Sequence, residues 1–237
     1  MFTEFSWKLN VSYGTYFFLK GVFLFMYLPH SPIFVVLCGK TGSGKTELLH
    51  HLELSGYPII DLERIASHRG SAFGGLLLNA QPSQPGFDNE IKESFLKHSH
   101  AACIFIEQKP ASLGKRKIPA WLYKKIEHGI LVMLNADKKT RINNILREYG
   151  AAGKESFINT LQKLKERLSA AVMNECEALL HAENYEGFIE SMLNYYDQTS
   201  KYNLGNFDVQ IETEGNCPSE MMNILLNKLA EAGISIL

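Results

Sequence analysis

Residues 39–46 hold the densest group of side chains that could do chemistry. They read GKTGSGKT, which matches the pattern GxxxxGK[ST]. Glycines allow successive backbone N–H groups to turn toward one point, and a helix that begins there adds the positive end of its dipole. Lys45 would then reach the terminal phosphates, and the Thr46 hydroxyl a Mg²⁺ ion. The predicted binding residues for ATP, GTP or another polyphosphate are Gly39, Lys40, Thr41, Gly42, Ser43, Gly44, Lys45 and Thr46.

Two carboxylates come at the ends of predicted strands. Glu107 ends the run ACIFIE, which we expect beside the strand that precedes the glycine loop. There it could hold a water of the metal ion or orient a nucleophile. Asp61 ends the run YPIID, where it could face an acceptor as a base or simply cap the next helix. Lys45, Asp61 and Glu107 are the predicted catalytic residues.

Further polar residues surround a long loop, 70–87, and long loops in compact domains are usually functional. Arg69 could pair with a phosphate through two nitrogens. Arg141, on the helix after the fourth predicted strand, could approach the phosphates as a lid. From spacing alone the loop residues could equally be solvated. They are His68, Arg69, Ser71, Gln81, Ser83 and Gln84, and the basic run Lys115, Arg116 and Lys117 follows the third strand.

Short apolar runs alternating with helix-length patterns must position these residues. Strands are predicted at 33–38, 57–61, 102–107, 130–134 and 207–211, with helices at 45–55, 138–149 and 219–232. Continuously apolar strands between helices indicate a parallel sheet covered on both faces. We therefore predict an α/β, P-loop NTPase-like domain over residues 31–237. It would include an α-helical insertion at 151–202 and a final strand and helix at 206–237.

The remaining composition excludes several classes of protein. The four cysteines are far apart with no CxxC pair, so neither a zinc site nor a disulfide framework is expected. Residues 16–28 are apolar but include Lys20 and fall short of the roughly 20 residues that cross a bilayer. Residues 1–30 are left unassigned. A reduced, cytoplasmic protein without a membrane partner is expected.

The charge of the chain is −1 overall but is unevenly distributed. Residues 109–167 hold 14 Lys and Arg against 5 Asp and Glu, whereas residues 183–237 hold 2 against 9. A basic stretch of this kind favours contact with nucleic acid, although such runs are also common on solvated faces.

Three segments together resemble one known family. They read TGSGKTELLHHLELSGYPIIDLERIASHRGSAFG (41–74), QPSQPGFDNEI (81–91) and LGKRKIP (113–119), the last following Ile106 and Glu107. The combination is similar to the C-terminal P-loop domain of tRNA 2-selenouridine synthases and covers roughly residues 33–202. The glycine loop alone would be unspecific, but the DLExxAxHRGSxFG and QPSQ segments together are highly specific.

The resemblance implies an activity. Members of that family replace the sulfur of wobble 2-thiouridine in tRNA by selenium from selenophosphate, through an S-geranylated intermediate made from geranyl diphosphate. It implies that the glycine loop holds a polyphosphate and that tRNA, not DNA, is the partner. It also implies that the substrate side is lined by Asp61, Glu63, His68, Arg69, Ser71, Gln81, Ser83, Gln84 and Glu107. The basic run Lys115, Arg116 and Lys117, whose place in the basic stretch favours nucleic acid, would suit the tRNA.

Two departures from the family pattern stand out. Where the family usually has a Glu-Asp-Glu-Ser-Arg run, this chain reads EQKPA from Glu107 onward. The family also carries an N-terminal rhodanese domain with a reactive cysteine, whereas about 30 residues precede the predicted sheet here. Either a separate chain supplies the rhodanese domain, or this chain is truncated or has diverged.

Two other functions are open at this point. A small-molecule kinase would use Asp61 as acceptor base and Arg141 as lid, but would need neither the basic stretch nor the HRGS and QPSQ segments. A non-catalytic, nucleotide-binding subunit for tRNA recognition would need both but would transfer nothing.

Overall fold

The computed structural model describes residues 31–199, 207–213, 217–234 and 236, together with the backbone of 15–19 and 22–26. The strands in chain order are β1 (Thr15–Leu19), β2 (Val22–Met26), β3 (Ile33–Cys38), β4 (Ile59–Ile60), β5 (Cys103–Glu107), β6 (Ser112–Leu113), β7 (Arg116–Lys117), β8 (Ile130–Asn135) and β9 (Val209–Glu212). The helices are α1 (Lys45–Leu54), α2 (Leu62–Ala66), α3 (Gln84–Lys97), α4 (Ala120–Glu127), α5 (Lys138–Tyr149), α6 (Lys154–Gln162), α7 (Ala170–His181), α8 (Tyr185–Thr199) and α9 (Pro218–Glu231).

The central sheet has five strands in the order β4-β5-β3-β8-β9, and its four pairings are all parallel. β3 lies in the middle, and Val35, Val36, Leu37 and Cys38 are fully buried because helices cover both faces of the sheet. The predicted α/β, P-loop NTPase-like fold is confirmed. Strands β1 and β2 form a separate antiparallel hairpin within the unassigned N-terminal region.

Alternate residues of the central strands pack into two separate cores. Val36 and Ile106 face the side covered by α3 and α4, whereas Val35 and Phe105 face the side covered by α1 and α9. A third core lies within α6, α7 and α8, which occupy most of the predicted helical segment 151–202. Residues 200–202 lie outside the described residues.

The pairing register brings the functional segments to one edge of the sheet. Leu37 of β3 pairs with Glu107 of β5, so the loop that leaves β3 and the carboxylate that ends β5 are neighbours. Across the described residues, none of the helices is both long and apolar enough to cross a membrane.

Candidate phosphate-binding and active site

The glycine loop connects β3 to α1 and has the backbone geometry that its sequence predicts. Gly42 and Gly44 have φ values of 80° and 88°, in the left-handed region where glycine is favoured. A Cβ at Gly42 would lie 2.7 Å from the carbonyl oxygen of Arg141, so no larger residue fits between the loop and α5. Gly44 is the N-cap of α1, and the loop therefore lies at the positive end of that helix.

Lys45 folds over the same loop. Its Nζ donates to the carbonyl oxygens of Gly39 (2.8 Å) and Lys40 (3.0 Å) and to Ser43 Oγ (3.3 Å). Burial lowers the pKa of Lys45 to about 8, although Glu107 acts in the opposite direction. The side chain is thus mostly protonated at neutral pH and can turn from carbonyl oxygens to a phosphate.

Glu107 and Glu63 share one buried ammonium group. Lys109 Nζ donates to Glu107 Oε2 at 2.6 Å and also to Glu63 Oε1. All three side chains are at most 10% exposed. Burial by itself would raise the pKa of Glu107, but Lys109 and Lys45 hold it below its usual value. Burial raises the pKa of Glu63 to about 7 despite Lys109.

Thr46 and Glu107 are the residues that the sequence predicts at a magnesium site. Thr46 lines the cavity described below and could offer its hydroxyl to an ion on a bound phosphate. Glu107 Oε1 is buried and has no hydrogen-bond partner among the described residues, but Oε2 holds the Lys109 ammonium. A Mg²⁺ ion whose water shell is held by Glu107 would meet that fixed positive charge, so the residues present do not fit it.

Arg141 contacts the glycine loop from α5. Its Nε donates to the Thr41 carbonyl oxygen at 2.7 Å, and its two terminal nitrogens bind the Asp197 carboxylate at 2.7 and 2.8 Å. The residue is only 3% exposed. Instead of approaching phosphates as a lid, as the sequence suggests, Arg141 supports the loop backbone and ties it to α8.

Asp61 has a structural role. From its position at the end of a strand, the sequence allowed either a helix cap or a catalytic base. Its Oδ1 accepts the Arg64 N–H at 2.9 Å as the N-cap of α2, and its Oδ2 lies 2.7 Å from His50 Nε2. Burial alone would raise the pKa of Asp61, but His50 and the Arg64 N–H hold it below its usual value. Both oxygens are engaged, and Asp61 lies outside the cavity lining, which does not support a base there.

Two substitutions test the capping role of Asp61. Asn can still accept the Arg64 N–H, so Asp61→Asn is expected to keep the cap, whereas Asp61→Ala should lower the free energy of unfolding by about 1–2 kcal/mol. Urea denaturation measures both. The two roles differ in the activity of the stable Asp61→Asn variant, which should be retained if Asp61 only caps α2 and lost if Asp61 were a catalytic base.

The QPSQ segment fixes backbone, not substrate. The Gln81 side-chain amide donates to the carbonyl oxygens of Ala66 and Leu113 and accepts the Lys115 N–H at 2.8 Å. The Gln84 amide makes two bonds with the Lys117 backbone, and Ser83 caps α3. These residues attach the hairpin β6–β7 to α2 and α3, which corrects their predicted place on the substrate side.

His68 is likewise turned to the backbone. Its Nδ1 accepts the Gly70 N–H at 3.0 Å, and its ring lies against Gly114 at the tip of the hairpin. Lys115 and Lys117 are exposed on that hairpin, with Arg116 half-buried between them. None of these described side chains lines the cavity, so the basic run lies on the surface outside it.

A cavity of about 810 Å³ opens from the glycine loop. Its polar end is lined by the loop and by several residues that the sequence predicted for the substrate side. Those that the structure brings together there are Thr41, Gly42, Lys45, Thr46, Glu63, Arg69, Ser71 and Glu107. Arg69 binds Glu148 at 2.5 Å and lies 5.1 Å from the centre of the Tyr149 ring, at the boundary of the polar part.

Much of the remaining cavity wall is apolar, although Glu127 and Glu148 also line it. It comes mainly from the loop after Arg69 and from α6 and α8, which the sequence identified only as a helical segment. These side chains are Phe73, Phe157, Phe188, Ile189, Met192 and Leu193, and the lining also includes Tyr123, Ile126 and Leu131. The arrangement suits a ligand with an anionic head and an apolar body.

Part of the charge asymmetry is neutralised by ion pairs within the chain, some buried and one, Lys138–Glu190, exposed. Arg141 and Lys138 of basic α5 bind Asp197 and Glu190 of acidic α8, and Lys109 is buried against Glu63 and Glu107. The net charge of residues 109–167 therefore overstates what reaches a partner.

Comparisons with known proteins cover most of the chain. A family profile described as "tRNA 2-selenouridine synthase AAA domain" matches residues 32–232. Proteins named tRNA 2-selenouridine synthase are similar: that of Shewanella denitrificans is 33% identical over 54% of this chain and 34% of its own length. That of Nitrosomonas europaea is 34% identical over 48% and 30%, and that of Shewanella woodyi 28% over 73% and 54%. The chain thus spans between 30% and 54% of the length of these relatives.

Two solved structures are also similar. They are shikimate kinase from Acinetobacter baumannii (17% identity, 86% of this chain and 96% of that one, TM-score 0.42) and a tRNA delta(2)-isopentenylpyrophosphate transferase from Staphylococcus epidermidis (12% identity, 84% and 99%, TM-score 0.45). The fold assignment itself rests on the strand order and parallel pairings described above.

Proposed function

Since the chain belongs to the tRNA 2-selenouridine synthase AAA domain family, we propose that it binds geranyl diphosphate and transfers the geranyl group to the sulfur of wobble 2-thiouridine in tRNA. This would prepare the replacement of sulfur by selenium. The observation that carries the proposal is the single cavity that joins a phosphate-binding loop to an apolar chamber.

The diphosphate head suits the polar end. Backbone N–H groups of the loop, the N-terminus of α1 and Lys45 surround the point where a phosphate would lie. ATP or GTP is also consistent with such a loop. A purine nucleotide, however, would bring a polar ribose toward the aromatic and aliphatic walls.

The geranyl tail suits the apolar end. Phe157, Phe188 and Met192 lie in the lining and belong to the third core, so a chain that entered would replace water by carbon contacts with these side chains. Burial of apolar surface contributes about 0.8 kcal/mol per CH₂. Ten carbons therefore offer enough free energy to select a prenyl chain over a bare diphosphate.

The transfer step makes one bond and breaks one. The thiouridine sulfur attacks C1 of the geranyl group, the C1–O bond breaks, and its electron pair leaves on the diphosphate. The proton of N3 is lost from the base, and we assign its acceptance to Glu63, a carboxylate that lines the polar end of the cavity and whose pKa is raised by burial. Lys45 and the loop stabilise the charge that develops on the leaving oxygen.

The tRNA would approach over the basic hairpin. Lys115 and Lys117 are exposed there, and Gln81 and Gln84 hold the hairpin backbone in place. Lysines that meet phosphates make affinity depend steeply on salt.

The selenium step calls for a reactive thiolate, but three of the four cysteines are buried, and the exposed one, Cys217, does not line the cavity. Burial raises the pKa of Cys38 to about 12 and that of Cys103 to about 11, and Cys176 is buried as well. A thiol in such surroundings is unreactive. We propose that a rhodanese domain completes the reaction with selenophosphate.

The kinase alternative is less well supported. It needs a base facing the acceptor, whereas both oxygens of Asp61 are engaged outside the cavity. An apolar chamber would also give a polar acceptor few partners. The non-catalytic alternative differs from our proposal only in the absence of transfer, and experiment can separate the two.

The test is a transfer assay with purified protein, geranyl diphosphate and a tRNA that carries wobble 2-thiouridine. Nucleoside mass spectrometry should show S-geranyl-2-thiouridine, and the same tRNA with plain uridine should stay unmodified. Filter binding of the tRNA should weaken steeply as salt rises. Salt-dependent tRNA binding without transfer would favour the non-catalytic subunit, and the absence of tRNA binding would favour a kinase.

A further inference from the structure

We propose that the Lys109 ammonium takes the place of a divalent cation at the glycine loop, so that this chain binds a diphosphate without Mg²⁺. The inference rests on the proposed function in one respect, that the ligand is a diphosphate. The inference concerns which positively charged group neutralises the negative charge of the bound diphosphate.

The position of Lys109 is the first observation. Its Nζ lies between Glu63 and Glu107, at the end of β5 next to the glycine loop, and its side chain is 9% exposed. Two buried carboxylates beside a phosphate loop form the usual environment of a hydrated metal ion. Here an ammonium group already binds both of them.

The geometry leaves this cation available to a ligand. An ammonium group has three donors, and the described contacts of Lys109 use two of them, to Glu63 and Glu107. Lys109 and Lys45 both line the cavity. A phosphate oxygen at the loop can therefore meet two ammonium groups, as it would meet one ammonium and one metal ion in a magnesium-dependent site.

The charged residues that line the cavity also favour this role for Lys109. The described lining residues include three cations, Lys45, Arg69 and Lys109, and four carboxylates, Glu63, Glu107, Glu127 and Glu148. Without Lys109, two cations would face four carboxylates, and a diphosphate would be repelled unless a metal ion entered with it. With Lys109, three cations face four carboxylates, so the excess negative charge that a diphosphate meets is halved.

The side chain of Lys109 also stays protonated. Burial alone would lower its pKa, but Glu107 and Glu63 outweigh burial and hold the pKa of Lys109 above its usual value. Unlike a bound ion, this cation does not dissociate when the metal concentration falls.

The experiment is calorimetric titration with pyrophosphate, in Mg²⁺ and in EDTA. The wild-type dissociation constant should differ by less than roughly threefold between the two conditions. In Lys109→Met, affinity in EDTA should fall by at least about tenfold, or about 1.4 kcal/mol, and Mg²⁺ should restore most of it. Lys92→Met, an exposed lysine on α3 remote from the cavity, should match the wild type.

A second variant guards against misfolding. Lys109→Met leaves two buried carboxylates without a partner, which can unfold a protein. The double variant Glu63→Gln with Lys109→Met retains one carboxylate and should show the same gain in Mg²⁺ dependence.

The outcomes separate the two proposals. If wild type and variants need Mg²⁺ equally, the inference is wrong and the phosphate site stands. If no form of the protein binds pyrophosphate or geranyl diphosphate in either condition, the proposed function is wrong and the inference fails with it.

Discussion

Replacing Lys45 by alanine is expected to lower the affinity for geranyl diphosphate by roughly 100-fold or more and to abolish geranyl transfer. Removing one member of a desolvated charge pair costs about 2–5 kcal/mol, and each 1.4 kcal/mol is about tenfold in affinity. Lys45 now donates only to oxygens of its own loop, so its removal deletes the charge that the ligand would meet. Calorimetry gives the affinity, and nucleoside analysis gives the transfer.

The matched control is Lys92→Ala, which removes a charge from the exposed face of α3. It should bind and transfer as the wild type does. If Lys45→Ala left transfer unchanged, the glycine loop would have a role other than holding the leaving group.

Filling the apolar chamber is expected to weaken the binding of the geranyl tail and to leave the binding of the diphosphate head unchanged. Met192 on α8 is 4% exposed and lines the cavity. In Met192→Trp, the larger side chain should take space from the geranyl chain. Losing contact over two or three carbons, at about 0.8 kcal/mol each, corresponds to roughly 30-fold in affinity. The affinity for pyrophosphate should stay within about twofold of the wild type.

Met222→Trp provides the control for this substitution. Met222 is half-buried on α9 and packs against a different core, so the same change there should leave both ligands unaffected. Equal losses for geranyl diphosphate and pyrophosphate in Met192→Trp would mean that the tail binds elsewhere or that the fold has changed.

The sheet and the glycine loop were predictable because their signals are local. A strand buried on both faces must be apolar throughout, as residues 33–38 are, and a loop that turns its N–H groups inward needs glycine at fixed places. The position of Glu107 followed as well, since parallel neighbours bring their carboxyl ends to one edge.

The sequence did not predict correctly which groups several of the polar side chains contact. Gln81 and Gln84 look like substrate contacts in a sequence because an amide can recognise either a ligand or a backbone, and only the fold shows Lys115 and Lys117 within reach. Arg141 and Asp197 are 56 residues apart, so their pairing has no local signal. For Asp61 the sequence left cap and base open, and the contacts of both oxygens distinguish them.

Lys109 illustrates the same limit more sharply. In the sequence, Lys109 lies where the family usually has an acidic run, so its presence suggests that a functional carboxylate has been lost. In the structure it supplies a positive charge between two carboxylates that are 44 positions apart in the chain, Glu63 and Glu107. The nearest signal was the unusual placing of a lysine two residues after a buried strand.

The clamp of Arg141 on Asp197 has a consequence for how such a protein could evolve. The clamp ties the glycine loop to α8, but the residues that would hold the head and those that would hold the tail belong to different stretches of chain. Mutations in α6 and α8 can therefore lengthen, shorten or reshape the chamber while the loop stays anchored. Descendants of one ancestor could come to accept tails of different size with the same leaving group.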